Sequence, residues 1–258
     1  LSGGIDSAVA ACVAVEALGP EAVHGLALPS RHSSQHSRDD ARWTADALGM
    51  RFSELHLDAL HGPAESLLGD VLRTGHAVAA ENLQARLRAL LVMGHANAEG
   101  AMAIATGNKS ELAQGYCTLY GDMAGGYAPL GDLWKMDVYA LAEVFNARAE
   151  AQGRPAPVSA STLTKPPSAE LAPDQRDDDT LPPYPVLDRI LRAHIEEGLD
   201  HGAIVARGED AATVTDVLAR MGRNEHKRWQ MPPAPRVSVR AFGQGWRMPL
   251  AGRHDWRD

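Results

Sequence analysis

The sequence is poor in cysteine and has no long apolar run. Its two cysteines among 258 residues, Cys12 and Cys117, are too far apart in the chain to form a metal site between them. Since no secretory signal is recognisable, we expect both thiols to be reduced in a cytoplasmic protein. No stretch of eighteen apolar residues occurs, so no membrane-spanning helix is expected. The composition, 45% hydrophobic and 22% charged, is typical of a globular protein.

Positive charge is scarce outside the C-terminal end of the chain. The formal net charge is −8, yet residues 220–258 contain nine Lys and Arg against three Asp and Glu. The preceding residues are therefore strongly acidic, which argues against general nucleic-acid binding. A basic tail on an acidic body either covers a small anionic ligand or forms a solvated surface.

Helical and strand patterns alternate over the first 150 residues. Helices are predicted at residues 8–18, 38–48, 83–94 and 136–149, with Ser37 as the N-cap of the second. Strands are predicted at residues 23–28, 52–57 and 102–106. This alternation predicts an α/β fold with a parallel β-sheet flanked by helices.

The second half of the chain is less regular. Residues 151–185 contain eight prolines and an acidic run, which predicts a long irregular loop that acts as a lid. Two further helices are predicted at about residues 186–197 and 211–221, before the basic tail.

The chain opens on a glycine-rich turn, Ser2-Gly3-Gly4-Ile5-Asp6-Ser7, directly before a helix. Glycines allow a backbone to close around a phosphate, and the N–H groups of the first helical turn point towards it. Because no lysine follows, this is not the Walker A loop. A carboxylate at Asp6 would repel phosphate unless a divalent cation lay between them, which suggests Mg²⁺ bound to pyrophosphate.

This six-residue string resembles the signature of the PP-loop ATP pyrophosphatases, which cleave ATP between its α and β phosphates and adenylate a substrate. The resemblance implies a Rossmann-like adenine nucleotide α-hydrolase fold. The loop alone does not choose among the members of that superfamily.

A second polar segment follows the third predicted strand. It begins with Thr106-Gly107-Asn108-Lys109-Ser110-Glu111 and continues through Tyr120-Gly121-Asp122 to Lys135. Ligands of open α/β sheets bind at this edge, where Glu111 could meet Asp6 across the site. Two carboxylates are relieved of their mutual repulsion by a bridging Mg²⁺.

Taken together, the loop and this segment resemble the NAD synthetases, most closely the synthetase half of the glutamine-dependent, two-domain enzymes. Further matches occur at Glu81–Arg86, Pro167–Leu171 and Glu225–Arg228. The resemblance covers nearly all of residues 1–258 and implies ATP-dependent amidation of deamido-NAD to NAD, a ligase reaction of NAD biosynthesis that releases AMP and pyrophosphate.

The resemblance also implies roles for individual residues. Asp6 and Glu111 would hold Mg²⁺, and Asp6, Glu111, Lys135 and Asp122 would be catalytic, Asp122 lying near the ammonia. The ATP-binding residues would be Ser2, Gly3, Gly4, Asp6, Ser7, Thr106, Lys135 and Ser168. Deamido-NAD would be bound by Asn82, Arg86, His226 and Lys227. The spacing of Asn82 and Arg86 independently places them on one helical face.

One position departs from the family pattern. Ammonia-dependent relatives carry a lysine immediately before the Tyr-Gly-Asp triplet, where this chain has Leu119. This difference favours the glutamine-dependent branch. A strand should feed the opening loop, so we expect the natural chain to extend upstream, through a nitrilase-like glutaminase domain that supplies ammonia. A homodimer is expected from the resemblance alone.

Two other functions remain open from the sequence. One is a different PP-loop amidotransferase, such as a GMP synthetase. The other is a non-catalytic module that binds ATP without cleaving it; a metal site for departing pyrophosphate at Asp6 and Glu111 argues against this reading.

Overall fold

A computed structural model describes residues 1–76, 78–172, 175–243 and 245–250 of the chain. Its helices are α1 (Ile5–Leu18), α2 (Gln35–Leu48), α3 (Asp58–Thr74), α4 (Val78–Glu99), α5 (Lys109–Gln114), α6 (Lys135–Ala151), α7 (Ala160–Thr164), α8 (Tyr184–Ile195), α9 (His201–Ala206), α10 (Ala211–Arg223) and α11 (Glu225–Arg228). Among the described helices, none combines the length and apolar character that a membrane crossing requires. The helices predicted from periodicity are all present, within a few residues of their expected ends.

Two parallel strands, β1 (His24–Ala27) and β2 (Arg51–Glu54), form the sheet, with His24 opposite Arg51. The α/β class with a parallel sheet is thus confirmed. The second strand is shorter than predicted. The third predicted strand, at residues 102–106, is reduced to a single parallel bridge between Ile104 and Tyr127. There, two consecutive glycines face the bridge, and the backbone of Gly125 lies so close to Ala105 that no side chain would fit.

The start of α2 differs from the prediction. Ser34, not Ser37, is the N-cap, and its hydroxyl accepts a hydrogen bond from the Ser37 N–H at 3.1 Å. The helix therefore begins at Gln35, three residues before the predicted start. Several serines precede this helix, and sequence alone did not show which of them has the extended backbone that a cap requires.

The two largest apolar clusters bring the candidate site together. One packs α1 against α6 through Val9, Val138 and Ala142. The other packs α5, α8 and α10 through Leu112, Ile190 and Leu218. As a consequence, the N-terminal turns of α1, α5 and α6 lie close together at one end of the molecule.

The proline-rich segment at residues 151–185 is irregular, as predicted, but it is tied to the opening loop. Within it, α7 contains Thr162, whose hydroxyl donates a hydrogen bond to the Gly3 carbonyl at 3.2 Å. Lys165 contacts Asp40 of α2 at 2.9 Å. These bonds hold residues 151–185 over the opening loop, and we call these residues the covering segment.

The basic tail is partly packed rather than fully solvated. Arg228 is buried, and its guanidinium donates to Glu225 and to the Leu112 and Ala113 carbonyls. Glu225 also accepts the Met248 N–H at 3.1 Å. The last eight residues of the tail lie outside the described part of the chain.

Candidate active site

The opening turn presents uncapped N–H groups at the start of α1. Gly4 is its N-cap residue and provides no side chain to accept them. The Ser2 hydroxyl instead accepts the Gly4 N–H at 3.2 Å, and the Ser7 hydroxyl donates to the Gly4 carbonyl at 3.0 Å. The helix N-terminus is thus left available to an anion, as a phosphate-binding loop requires.

Gly3 could not be replaced without moving the backbone. Its φ of +81° lies in the left-handed region, and a Cβ atom there would overlap the carbonyl oxygen of Ser37. The turn is therefore pressed directly onto the start of α2, which explains why a residue without a side chain is needed.

Asp6, Glu111 and Lys135 converge on one point in front of this turn. The Lys135 ammonium contacts Asp6 Oδ2 at 2.6 Å and Glu111 Oε1 at 3.1 Å. Lys135 is 2% exposed, whereas the side chains of Asp6 and Glu111 are partly accessible. The expectation that Glu111 meets Asp6 across the site corresponds to this geometry, and Lys135, which was expected to contact ATP, lies between them.

Burial and charge shift the pKa values of this group. Burial raises the pKa of Glu111, with a further contribution from the Asp6 carboxylate, against the lowering effect of Lys135. Burial opposes the charge of Lys135, but Asp6 and Glu111 outweigh it and raise the pKa of Lys135. Lys135 therefore remains a cation, as a group that stabilises phosphate charge must.

Asn108 connects two of these carboxylates and was not predicted as a site residue. Its amide donates to Asp6 Oδ1 at 2.8 Å, and its carbonyl oxygen accepts the Glu111 N–H at 3.0 Å. Glu111 in turn accepts the Asn108 N–H, so the pair forms a capping box at the start of α5. The Asn-x-x-Glu spacing was the available signal for this role.

A buried aspartate far along the chain fixes the start of α6. Asp188 on α8 accepts the Met136 N–H at 2.9 Å and the Ser110 hydroxyl proton. The Ser110 hydroxyl accepts the Lys135 N–H at 2.9 Å. These bonds hold the backbone N–H groups of Lys135 and Met136 and the side chain of Ser110, the residue before Glu111. No sequence signal indicated Asp188.

The donor set at this point fits a magnesium ion that is shared with phosphates. Within the described residues, no cluster of three or more His, Cys, Asp and Glu side chains could hold a metal by itself. The carboxylates of Asp6 and Glu111 both contact the Lys135 Nζ atom, so they are close enough to share one ion. Mg²⁺ in nucleotide sites takes one or two carboxylates, with phosphates and water completing the octahedron.

Thr106 and Ser168 have different surroundings. Thr106 lies two residues before Asn108, in the segment that leads to α5. The Ser168 hydroxyl donates to the Gln175 carbonyl and accepts the Glu170 N–H, so its described bonds lie within its own loop. Glu170 links that loop to α2, because its carboxylate accepts the Ser34 and Ser37 hydroxyls.

The predicted deamido-NAD residues on α4 face the loop between α5 and α6. Asn82 accepts the Thr118 hydroxyl proton at 2.7 Å, and Arg86 donates to the Leu119 carbonyl at 3.1 Å. Asp122 accepts the Thr118 N–H at 2.6 Å. Burial raises the pKa of Asp122, although backbone donors partly counter this effect.

Lys227 reaches the same loop from α11, whereas His226 does not. The Lys227 ammonium donates to the Gly115 and Cys117 carbonyls at 2.6 and 2.7 Å. The exposed His226 bonds to the carbonyl of Arg223, the last residue of α10, at 3.1 Å. The structure thus gathers Asn82, Arg86 and Lys227 around one loop and leaves His226 at the surface.

A small cavity lies between Glu111 of the carboxylate site and Asp122 of the loop between α5 and α6. Its lining includes Gly107, Glu111, Cys117 and Asp122, and its volume of about 10 Å³ matches a single water-sized molecule. A larger cavity of about 310 Å³ lies between α1 and α6 and is lined by Cys12, Phe145 and Arg148, with no predicted site residue. Both Cys12 and Cys117 are free, and burial raises the pKa of each to about 12.

An α/β fold with an uncapped glycine turn, two carboxylates and a buried lysine at one point defines a nucleotide-binding protein of the PP-loop type. The family model of NAD synthase matches residues 1–232. The chain belongs to the NAD synthase family, which confirms the resemblance seen in its motifs.

Two curated relatives are glutamine-dependent NAD(+) synthetases. That of Thermotoga maritima is 44% identical over 254 residues, covering 98% of this chain and 43% of the relative. That of Rhodobacter capsulatus is 46% identical over 265 residues, covering 100% and 47% respectively. The chain thus spans less than half the length of these relatives.

Solved structures agree with this placement. A glutamine-dependent NAD+ synthetase from Acinetobacter baumannii in complex with ADP is 37% identical, with a TM-score of 0.61 over 100% of this chain and 46% of the other. An NMN synthetase from Francisella tularensis is 28% identical, with a TM-score of 0.71 over 88% of this chain and 84% of the other.

Proposed function

We propose that this chain catalyses the ATP-dependent amidation of deamido-NAD to NAD through an acyl-adenylate, with release of AMP and pyrophosphate. The observation that carries the proposal is the convergence of Asp6, Glu111 and Lys135 at the start of α1. The nicotinate carboxylate would attack the α-phosphate. The α1 amides and Lys135 would then neutralise charge on the departing pyrophosphate.

Asp6 and Glu111 would hold Mg²⁺ against the ATP phosphates. The ion would supply Lewis-acid stabilisation of phosphate charge. At present the Lys135 ammonium neutralises the carboxylates of Asp6 and Glu111. With Mg²⁺ on these carboxylates, Lys135 would be available to contact the ATP phosphates instead.

Asn82, Arg86 and Lys227 would bind deamido-NAD, since all three surround the loop that leads from Glu111 to Asp122. Their present partners are hydroxyl and carbonyl groups of that loop, so substrate binding would require these bonds to be shared or exchanged. His226, which is exposed, would contact deamido-NAD from the surface of the protein. Thr106 and Ser168 would contact ATP, Ser168 from the covering segment.

The nitrogen source and the assembly complete the proposal. Ammonia would come from glutamine in an upstream nitrilase-like glutaminase domain, which the relatives' greater length and name support. We also propose a homodimer that acts in the cytoplasm.

The test is a substrate panel. The protein is mixed with ATP, Mg²⁺ and an ammonium salt, together with deamido-NAD, nicotinate mononucleotide or xanthosine monophosphate, and AMP is measured. AMP formed with deamido-NAD supports the proposal. AMP formed chiefly with the mononucleotide or with xanthosine monophosphate would reassign the substrate, and ATP binding without AMP would indicate a non-catalytic module.

A further inference from the structure

Lys109, the first residue of α5, is a buried cation held by oxygens from three separate parts of the chain. Its ammonium contacts the carboxylates of Asp132 at 2.9 Å and Glu196 at 3.2 Å. It also donates to the Ser238 hydroxyl at 2.6 Å and to the Arg240 carbonyl at 2.9 Å. An ammonium has three protons, so these four oxygens engage it completely. A buried charge that is paired in this way holds its neighbours in one arrangement.

The C-terminal segment, residues 237–242, closes this cluster. The buried Asp132 carboxylate accepts the Val237 and Ser238 N–H groups at 2.8 and 2.7 Å, and the Ser238 hydroxyl proton at 2.7 Å. Burial opposes the charge of Asp132, but hydrogen bonds from Lys109 and Ser238 outweigh it and lower the pKa of Asp132. The family model ends at residue 232, so a segment beyond it is bonded directly to the first residue of α5.

Trp134 connects the same cluster to α6. Its ring centre lies 4.5 Å from the Lys109 ammonium, within the range of a cation–π contact. The indole N–H donates at 2.7 Å to Glu196 Oε1, the oxygen that also contacts Lys109. Trp134 is 1% exposed and is the N-cap residue of α6, directly before Lys135. The cluster therefore fixes the residue from which α6 and its lysine begin.

The backbone of Lys109 joins the two helix starts as well. Its N–H donates to the Leu133 carbonyl at 2.8 Å, which ties the first turn of α5 to the segment that leads into α6. Asn108, the preceding residue, is fully buried and forms the capping box with Glu111. Because Asn108 and Glu111 share this turn with Lys109, a displacement of Lys109 would carry both of them with it.

We propose that Lys109 is a positioning residue for the ATP site, anchored in place by the C-terminal segment. It fixes the first turns of α5 and α6, which carry Glu111 and Lys135. Both of these side chains must meet Asp6, and a misplacement of about 1 Å can cost about 100-fold in rate. This inference rests on the proposed function, in which Asp6, Glu111 and Lys135 act on ATP. Lys109 itself acts only through its neighbours in the chain.

The test uses a double variant, Lys109→Met with Asp132→Asn. It removes both charges with little change in volume, and a buried ion pair replaced in this way is often tolerated by the fold. The asparagine oxygen can still accept the backbone N–H groups of the C-terminal segment. Ser238→Ala is a second, milder variant, because it removes the hydroxyl between the two charges and leaves both charges in place.

Arg192→Met is the matched control. The Arg192 guanidinium lies 5.7 Å from the centre of the same Trp134 ring, so this variant also removes a cation next to that indole. Arg192 is partly exposed and pairs with Asp137 at 2.6 Å, outside the Lys109 cluster. We expect its activity to equal that of the unmodified protein.

The first readout is steady-state kinetics with each substrate varied. We expect kcat/KM for ATP at limiting Mg²⁺ to fall about 10- to 100-fold in the double variant, and by a smaller factor in Ser238→Ala. KM for deamido-NAD should be unchanged, because Asn82 and Arg86 contact the loop after α5 rather than its first turn. A general loss of folding would lower the use of both substrates together.

The second readout needs neither activity nor metal. The Glu111 N–H donates to the Asn108 side chain at 3.0 Å, and its hydrogen exchange in the nucleotide-free protein reports on the first turn of α5. We expect this exchange to be at least about tenfold faster in the double variant. The Thr213 N–H, which Asp210 caps at the start of α10, should exchange at its original rate.

Each outcome decides the inference. An unchanged kcat/KM for ATP in the folded double variant would overturn it, as would Glu111 exchange that is unchanged or that quickens no more than that of Thr213. If the double variant does not fold, the same comparisons on Ser238→Ala decide. Absence of deamido-NAD-dependent exchange of pyrophosphate into ATP in the unmodified protein would contradict the proposed function, whereas the hydrogen-exchange comparison would still show whether Lys109 holds this turn.

Discussion

Lys109, the first residue of α5, and Lys135, the first residue of α6, are both fully buried lysines that contact carboxylates. Lys109 contacts Asp132 at 2.9 Å and donates to the Ser238 hydroxyl, so it joins the C-terminal segment to the core. Lys135 faces the accessible carboxylates of the site. At the scale of residues, the partners rather than the residue type assign the role.

Gly3 offers a stringent test of the opening turn. Gly3→Ala should destabilise the protein by more than the roughly 1–2 kcal/mol of a left-handed alanine, because its methyl group also meets the Ser37 backbone. Gly153→Ala is the matched control, since Gly153 has a φ of +67° but open space around it. Equal unfolding free energies for the two variants, from urea titration, would contradict the described contact.

Asp40 should contribute stability that depends on pH. Burial alone would raise its pKa, but hydrogen bonds from Lys165 and Ser159 lower the pKa of Asp40 below its ordinary value. A carboxyl with a lowered pKa stabilises the fold above its unfolded pKa and loses that contribution as pH falls through the folded value.

Asp40→Asn should therefore be less stable than the unmodified protein at pH 7, with a difference that shrinks below about pH 4. The urea midpoints of both proteins at pH 7 and at pH 3 measure this difference in stability. A difference that stays constant from pH 7 to pH 3 would mean that the Asp40 charge does not hold the covering segment.

At the scale of elements, three helix N-termini meet because apolar faces of α1, α5 and α6 pack in the core. Periodicity predicted α1 and α6, since buried positions recur every three to four residues, but it did not predict the six-residue α5. It did not predict the bonds from Asp188 to Ser110 and Met136, because these join positions that are 78 and 52 residues apart. The third strand was overpredicted, because an apolar run does not reveal whether a partner strand is present.

Asp188→Ala should expose the consequence of losing that connection. Two buried donors would be left without an acceptor, which costs about 1–3 kcal/mol. Urea unfolding should show this loss, and hydrogen exchange of the Met136 N–H should quicken. Asp216→Ala, which removes an exposed ion pair with Arg220, should change stability by about 0.5 kcal/mol or less. Equal effects of the two substitutions would refute the capping role.

At the scale of the whole molecule, α3 and α4 present exposed apolar side chains that the core does not use. Leu67 is 89% exposed and Val71 is 68% exposed on α3, and Leu90 is 62% exposed on α4. Exposed apolar surface on a packed helix pair is typical of an interaction site. We place the contact of the proposed homodimer there.

Leu67→Asp should therefore weaken self-association, measured by sedimentation velocity, by at least about tenfold in Kd, since a carboxylate would be buried without a partner. Leu18→Asp is the control, because Leu18 is 65% exposed at the far end of α1. A dimer that is unaffected by Leu67→Asp would move the interface elsewhere.

Family motifs predicted that Glu111 would meet Asp6, because phosphate chemistry needs particular residues at short spacings, as in Ser2–Ser7 and Asn108–Glu111. They did not show Asp188, whose bonds to Ser110 and Met136 depend on long-range packing. The grouping of Lys227 with Asn82 required the fold, since their contacts run through a loop distant from both in sequence.

The central claim is that Asp6 and Glu111 act together on ATP whose outer phosphates leave as one unit. The most direct measurement is pyrophosphate release with deamido-NAD over a Mg²⁺ titration, for the unmodified protein, Asp6→Asn and Glu111→Gln. We predict stoichiometric AMP and pyrophosphate from the unmodified protein, and a loss of about 100-fold or more in both variants that is largest at limiting Mg²⁺. Release of single phosphate, or unchanged rates in both variants at limiting Mg²⁺, would contradict the account.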